Sequence, residues 1–258
     1  MQPSILSSIL GLPSEAIRYF PSTGSTNDLA LQWLDQGAPE TAVVLADQQT
    51  AGRGRLGRKW ITRPGSAIAA SLILHPVPGE FDRLALFSPL AALALCDVLE
   101  NSLNLAPQIK WPNDVLLDDK KTCGILVEAS WVGADLAGIV IGIGINIAAD
   151  SIPPAEELLF PATCLEAHAR GVVERYALLG SWLEALQRRR SSLGGKEFLS
   201  AWQNRLAFLG RGVKIIPTGS APVFGTIEGV AENGDLLLRD TQGQIQAFQA
   251  GDVHLRPL

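Results

Sequence analysis

Apolar positions in this chain return at two different periods, and the changes of period mark out its elements. Ser25-Thr26-Asn27-Asp28 opens a stretch in which Leu29, Ala30, Trp33 and Leu34 recur at helical spacing. That predicts an amphipathic helix with Ser25 as N-cap. Thr41–Ala46 is a short β-rich run and 67–74 a buried strand, while residues 84–103 are apolar over the length of a core helix. Short strands at 109–111 and 115–117 flank Pro112. Asp118-Asp119-Lys120 is expected to turn a hairpin whose return strand is 123–129. A second long apolar strand, 136–147, is interrupted by Gly138, Gly142 and Gly144. Helices are predicted over 163–169, 172–190 and 196–206, and residues 1–20 read as a short leader helix or loop.

From Gly210 the texture changes to brief β-runs at 212–217, 223–230, 235–239, 245–248 and 252–256, with Asn233-Gly234 as a hairpin turn. The expected organisation is α+β: a mixed sheet flanked by helices over 1–209, then a small β-barrel over 210–258. In a chain of 258 residues, hydrophobic content of 47% and charged content of 18% describe a packed domain, not a disordered one. A net charge of -5 disfavours nucleic-acid binding along the whole chain. The three cysteines, Cys96, Cys123 and Cys164, are too few and too scattered for a disulfide framework or a structural zinc site. No secretory signal is evident, and no run approaches the ~20 apolar residues of a membrane span. A cytoplasmic location with no membrane partner is the expectation.

Against that acidic background, Gly52-Arg53-Gly54-Arg55-Leu56-Gly57-Arg58-Lys59-Trp60 places four cations and three glycines in nine residues. Glycine allows close backbone approach and the cations neutralise an anion, so the segment suits a cover for a phosphorylated small molecule. A solvated basic loop is the plainer reading. Lys110-Trp111-Pro112-Asn113-Asp114 crowds a lysine, an amide and a carboxylate at a bend between apolar flanks. It reads equally as a site or as a turn with a snorkelling lysine. Lys121, just after the hairpin turn, should lie near that bend, although a lysine there is ordinarily solvent-facing. The glycines of Gly142-Ile143-Gly144 sit within a strand and do not open a helix, so they are not a dinucleotide fingerprint. Either a ligand passes close to this backbone or the strand packs tightly on the core helix.

Five pieces in order, STN, QTAGRGRLGRKW, KWPND, KTCGILVE and GIGIN, resemble the biotin–protein ligases, over roughly residues 20–258. The C-terminal segment ending Gly251-Asp252-Val253-His254-Leu255-Arg256 is similar to that family's small terminal barrel. The resemblance implies a class II synthetase-like mixed sheet, related to lipoate ligases, followed by an SH3-like barrel. It implies that biotin and ATP, with Mg2+, form biotinyl-5′-AMP, whose acyl group passes to a lysine of a biotin carboxyl carrier protein, a subunit of acetyl-CoA carboxylase. Residues 1–20 leave no room for the DNA-binding domain of some relatives, so a monofunctional ligase without repressor function is expected. Monomer and homodimer both stay open.

By the same resemblance, Ser25, Thr26, Asn27 and Gln49 hold the biotin head group. Gly52, Arg53, Gly54 and Arg55 cover biotin and the phosphate, and Gly124 and Leu126 line the biotin pocket. Lys121 contacts the biotin carboxylate and α-phosphate. Arg58 meets phosphate, Trp60 packs by adenine, and Asn113, Asn146 and Arg256 fall on the nucleotide side. Asp114 is the carboxylate that orients either a metal or the incoming amine, with Lys110 holding it. No protein metal cluster is expected.

Overall fold

The computed structural model describes residues 3–217, 221–249 and 253–257. After helix α1 (Pro3–Leu10) come strand β1 (Ile17–Thr23), helix α2 (Thr26–Asp35), strands β2 (Val43–Gln49) and β3 (Ala67–Leu74), and helix α3 (Phe87–Leu103). Strands β4 (Gln108–Lys110), β5 (Asp114–Leu117), β6 (Lys120–Val132) and β7 (Asp135–Asn146) follow, then helices α4 (Arg175–Arg190) and α5 (Lys196–Asn204). They build a seven-stranded sheet of order β1-β2-β3-β7-β6-β5-β4. Only the β1–β2 pair is parallel.

Strand alternation sorts side chains between two faces. Ile139, Ile141, Ile143 and Ile145 of β7 join the large core with α3, α4 and α1, whereas Val140 joins Ala30, Trp33 and Leu34 of α2 on the opposite face. The long apolar helix α3 is therefore enclosed, with Leu90, Leu93, Leu95 and Leu99 fully buried. Helix α2 covers only part of its own face, and the uncovered remainder, over β6 and β7, is where the site lies.

The C-terminal strands β8 (Gly212–Pro217), β9 (Val223–Val230), β10 (Leu236–Arg239), β11 (Ile245–Phe248) and β12 (Val253–Pro257) form a five-stranded antiparallel sheet of order β11-β10-β9-β8-β12. Its turn at Asn233-Gly234 touches the first sheet: the buried Trp111 donates from Nε1 to Gly234 O at 3.1 Å. Asp252, expected to begin the last strand, and Gly251 before it lie outside the described residues.

Several expectations need correction. The leader contains the start of a strand, β1, as well as helix α1. The helix expected at 163–169 is one 3-10 turn, Leu165–Ala167, because Thr163 N donates to Lys121 O and Lys121 N to Pro161 O, which draws this segment alongside β6. Helix α4 starts at Arg175, not 172. Both Asp118 and Asp119 adopt positive φ (49° and 58°), so those two residues make the turn and Lys120 already belongs to β6.

Candidate active site

Ser25 caps α2, accepting from Asp28 N at 3.4 Å. That fixes Thr26 and Asn27 at the helix mouth, where both are buried. Gln49, at the end of β2, accepts through Oε1 from Thr26 N at 2.8 Å and Thr26 Oγ1 at 3.1 Å. Ser71 of β3 donates toward Thr26 Oγ1 (2.8 Å) and Asn27 Oδ1 (2.6 Å). The result is a cup of polar groups already hydrogen-bonded to one another.

The floor of this cup is glycine. On β7 one face presents in turn Val140 under α2, Gly142, Gly144 and Asn146. A side chain on Gly142 would collide with Asn27, and one on Gly144 with the indole of Trp60. The close approach read from the glycine pattern is therefore real, but it faces Asn27 and Trp60, away from the core helix. Gly52 is likewise enforced, since a Cβ there would strike Trp60 O and Gln49.

On β6 the same alternation brings Gly124, Leu126 and Glu128 to the site face. Lys121 joins them because the β5–β6 register shifts between Val115 and Leu116, with Val115 opposite Cys123 and Leu116 opposite Lys121. Thr122 is the extra residue of this bulge, and such an insertion re-aims the neighbouring side chain. Without it Lys121 would share the buried face of Cys123. With it, Lys121 Nζ lies beside the Gly124 backbone and 5.5 Å from the Trp60 ring centroid.

Lys121 Nζ is 2.6 Å from Asp114 Oδ1, and Lys110 Nζ is 3.6 Å from Asp114 Oδ2. Lys110 and Asp114 are only 5% exposed each, so the snorkelling reading of Lys110 fails. Burial pulls the Lys110 ammonium down to about 8, against the Asp114 carboxylate and helped by Lys121, Arg256 and Arg58. Burial acts to raise the Asp114 carboxyl, but Lys121 and Lys110 more than offset it and hold it below its ordinary value. Arg256 is lowered by burial and by Arg58.

Two cavities meet at this cluster. The first, about 90 Å³, is the polar cup, lined by Ser25, Thr26, Asn27, Gln49, Gly124 and Leu126 with Arg53, Gly54, Arg55 and Asn113. The second, about 380 Å³, is lined by Lys110, Asn146, Phe160, Glu157, Leu158 and Arg256. Arg58, Lys59, Trp60, Asp114 and Lys121 line both. The indole Nε1 of Trp60 is buried with no hydrogen-bond partner among the described residues. The first cavity offers directional hydrogen bonds and the second a field of cations with apolar walls.

Arg53, Arg55 and Asn113, all expected on the nucleotide side, line the first cavity and not the second. Asn113 donates to Ile125 O at 2.8 Å, accepts from Arg55 at 3.3 Å, and lines the first cavity but not the second. Arg53 is bidentate on Glu128 (3.0 and 2.8 Å) and reaches Asp28 at 2.6 Å. The sequence reading overlooked Glu128, Ser71 and Phe160. The even-numbered alternation of β6 pointed to Glu128. Phe160 comes from an aperiodic loop and lies 5.0 Å from Lys110 Nζ and 5.9 Å from the Arg256 guanidinium, measured to its ring centroid.

A hydrogen-bonding cup opening onto a cation-lined cavity, on a mixed sheet, suits an enzyme that joins a small acid to a nucleotide. The chain belongs to the biotin/lipoate A/B protein ligase family, whose model matches residues 19–146, and the biotin protein ligase C terminal domain matches 208–256. A biotin--[acetyl-CoA-carboxylase] ligase of Paracoccus denitrificans is 37% identical over 237 residues, 90% of this chain and 97% of that one. The bifunctional ligase/repressor BirA of Escherichia coli (strain K12) is 31% identical, covering 96% of this chain and 77% of its own. The solved biotin protein ligase from Aquifex aeolicus in complex with biotin and ATP is similar with a TM-score of 0.79 at 30% identity, over 94% of this chain and 99% of that one.

Proposed function

We propose that this enzyme activates biotin with ATP to biotinyl-5′-AMP and transfers the biotinyl group to a lysine of a carboxylase carrier domain. The observation that carries this reading is the junction of the two cavities at Lys121 and Asp114. A carboxylate arriving from the cup and an α-phosphate arriving from the cation field would meet there. Ser25, Thr26, Asn27 and Gln49 take the ureido head group, and Gly124 and Leu126 the apolar body. The nucleotide fills the second cavity, with Asn146 on the adenine side and Arg58, Arg256, Lys110 and Lys121 neutralising phosphate. Trp60 forms the partition, its indole lying against the Gly144 backbone.

In the first step a biotin carboxylate oxygen bonds to the α-phosphorus, and the bond to pyrophosphate breaks, pyrophosphate leaving with the electron pair. Two anions approach one another, so preorganised cations at the junction lower the barrier. In the second step the acceptor amine bonds to the acyl carbon, AMP leaves with the C–O electron pair, and the amine proton passes to solvent. A carboxyl held low stays ionised and is a poor base, so Asp114 orients the incoming amine instead of deprotonating it.

Among the described residues no group of three or more His, Cys, Asp or Glu side chains could hold a metal ion. The fit is therefore to a cation carried in on the triphosphate, since Mg2+ takes one or two carboxylates plus phosphate oxygens. Glu157 and Asp114 both line the second cavity, and Glu157 would hold that cation, which would add positive charge at the phosphates.

Biotin-dependent exchange of pyrophosphate into ATP, followed by labelling of a carrier domain, tests the reading, with lipoate offered in parallel. Exchange driven by biotin is the expected result. Exchange driven by lipoate alone would keep the fold and overturn the substrate.

A further inference from the structure

The polar cup does not end at the head-group residues. From Gln49 the hydrogen bonds run through Thr26 to Ser71 and Asn27, and Asn27 Nδ2 then donates to Glu128 Oε2 at 2.7 Å. That same carboxylate is gripped by Arg53, with NH1 on Oε1 at 3.0 Å and NH2 on Oε2 at 2.8 Å. Asp28, on the first turn of α2, adds a third contact to Arg53 at 2.6 Å. Both terminal nitrogens of Arg53 are thus occupied by carboxylates, and Arg53 does not line the cation-rich cavity.

Arg53 belongs to a loop whose two sides pair with each other. Arg53 bridges to Lys59, Trp60 N donates to Gly52 O at 2.9 Å, and Gly54 N to Arg58 O at 2.7 Å. Holding the Arg53 side chain therefore holds Arg58, Lys59 and Trp60, the loop residues that line both cavities. Ser71, Thr26 and Asn27 are almost wholly buried, so this end of the chain of hydrogen bonds is shielded from water. A planar two-point guanidinium–carboxylate pair adds orientation to that connection.

We infer that Glu128 is a positioning residue that ties the cationic loop, through Arg53, to the head-group pocket, through Asn27. Arg53 is then the loop's tether and not a phosphate ligand. Seating of the loop and recognition of the head group become one hydrogen-bonded unit, so a ligand that rearranges Asn27 is felt at Trp60 and Arg58. The effect on biotin rests on the function proposed above. The tether itself does not.

The test compares Glu128→Ala, Glu128→Gln and the exchanged pair Arg53→Glu/Glu128→Arg with wild type. Trypsin cleavage at the Arg58 and Lys59 bonds of the unliganded protein reads the tether without any need for activity. Losing a hydrogen bond to a charged group is worth about tenfold, so cleavage should quicken by that order in Glu128→Ala. The KM for biotin should rise by a similar factor, about tenfold, and that for ATP by less, since Arg58 and Trp60 also border the second cavity. Glu128→Gln keeps an acceptor for Asn27 and loses the charge facing Arg53, so loop cleavage should rise more than the biotin KM. The exchanged pair, carrying Asp28→Asn so that the carboxylate placed at 53 meets no second one, should recover protection relative to Arg53→Glu or Glu128→Arg alone. Unchanged cleavage in Glu128→Ala, equal rises in both KM values, or an exchanged pair no better than the singles would overturn the inference. If Glu128→Ala does not fold, as judged by its thermal unfolding, Glu128→Gln carries the test. Wild type showing no biotin-dependent exchange would defeat the functional reading and leave the proteolysis result to stand alone.

Discussion

Trp60 and Gly144 share one space: the indole rests on the bare backbone of β7, where any side chain at 144 would intrude. The contact joins the cationic loop to the sheet and sets the partition between the two cavities. Gly144→Ala should force the indole outward at a cost of about 1–3 kcal/mol, the usual range for overpacking. We expect weaker biotin binding by calorimetry, a changed tryptophan emission, and a smaller loss in thermal stability than in affinity. Unaltered affinity would mean that the indole position is unimportant to the site.

Lys110 gives the enzyme an alkaline limit. Its ammonium titrates at about 8 in the folded protein against 10.5 ordinarily. Between those values the unfolded chain binds the extra proton, so stability should rise with pH across that window. The penalty of burying the charge is fully present below about pH 8. Activity should move the opposite way, because deprotonation removes a cation from the phosphate side. Pyrophosphate exchange, which isolates the first step from the acceptor amine, should fall above about pH 8, and Lys110→Met should be slow but lack that limb. An alkaline limb retained in Lys110→Met would assign it to another group.

Among the described residues, Asp114 is the only carboxylate within ion-pair distance of the buried Lys110 and the half-buried Lys121. Asp114→Asn should destabilise the fold by about 3–5 kcal/mol, as removing one partner of a buried ion pair does. Adding Lys110→Met should recover part of that loss, since the uncompensated ammonium goes with it. Urea unfolding of the two single variants and the double gives the coupling, and strict additivity would show that the 3.6 Å pair carries no energy.

Thr122, the bulge residue, is fully buried and its hydroxyl has no partner among the described residues. Valine has the same shape without the polar group, so Thr122→Val should raise stability by about 1 kcal/mol with the bulge intact. A rise in the unfolding midpoint with unchanged exchange activity is the expected result. Lost activity would place a function on that hydroxyl.

Much of the fold was legible. Helix α2 with its Ser25 cap, strands β3 and β7, and the Asp118-Asp119 turn follow from local period and turn chemistry, which depend on near neighbours alone. Strand β1 was missed because it is an edge strand carrying Arg18 and Pro21, with no residue beyond Ile17 fully buried. No apolar alternation marks such a strand, and only its parallel pairing with β2 makes it one. The helical reading of 163–169 failed for the converse reason. Its apolar residues have helical spacing, but the backbone around Thr163 is engaged by Lys121.

The sequence by itself determined which chemistry was available: a glycine-spaced run of cations, a capped helix mouth, a strand stripped of side chains. These are properties of short segments and survive in the unfolded chain as composition and period. Tertiary structure alone decided what each group faces. It gathered Lys110 from β4, Lys121 from β6, Arg58 from the loop and Arg256 from β12 around one carboxylate. It also gave Arg53, by sequence another loop cation, to Glu128 and Asp28. Charge interactions fall off over a few ångströms and burial strengthens them, so the role of an ionised side chain is set by neighbours distant in sequence.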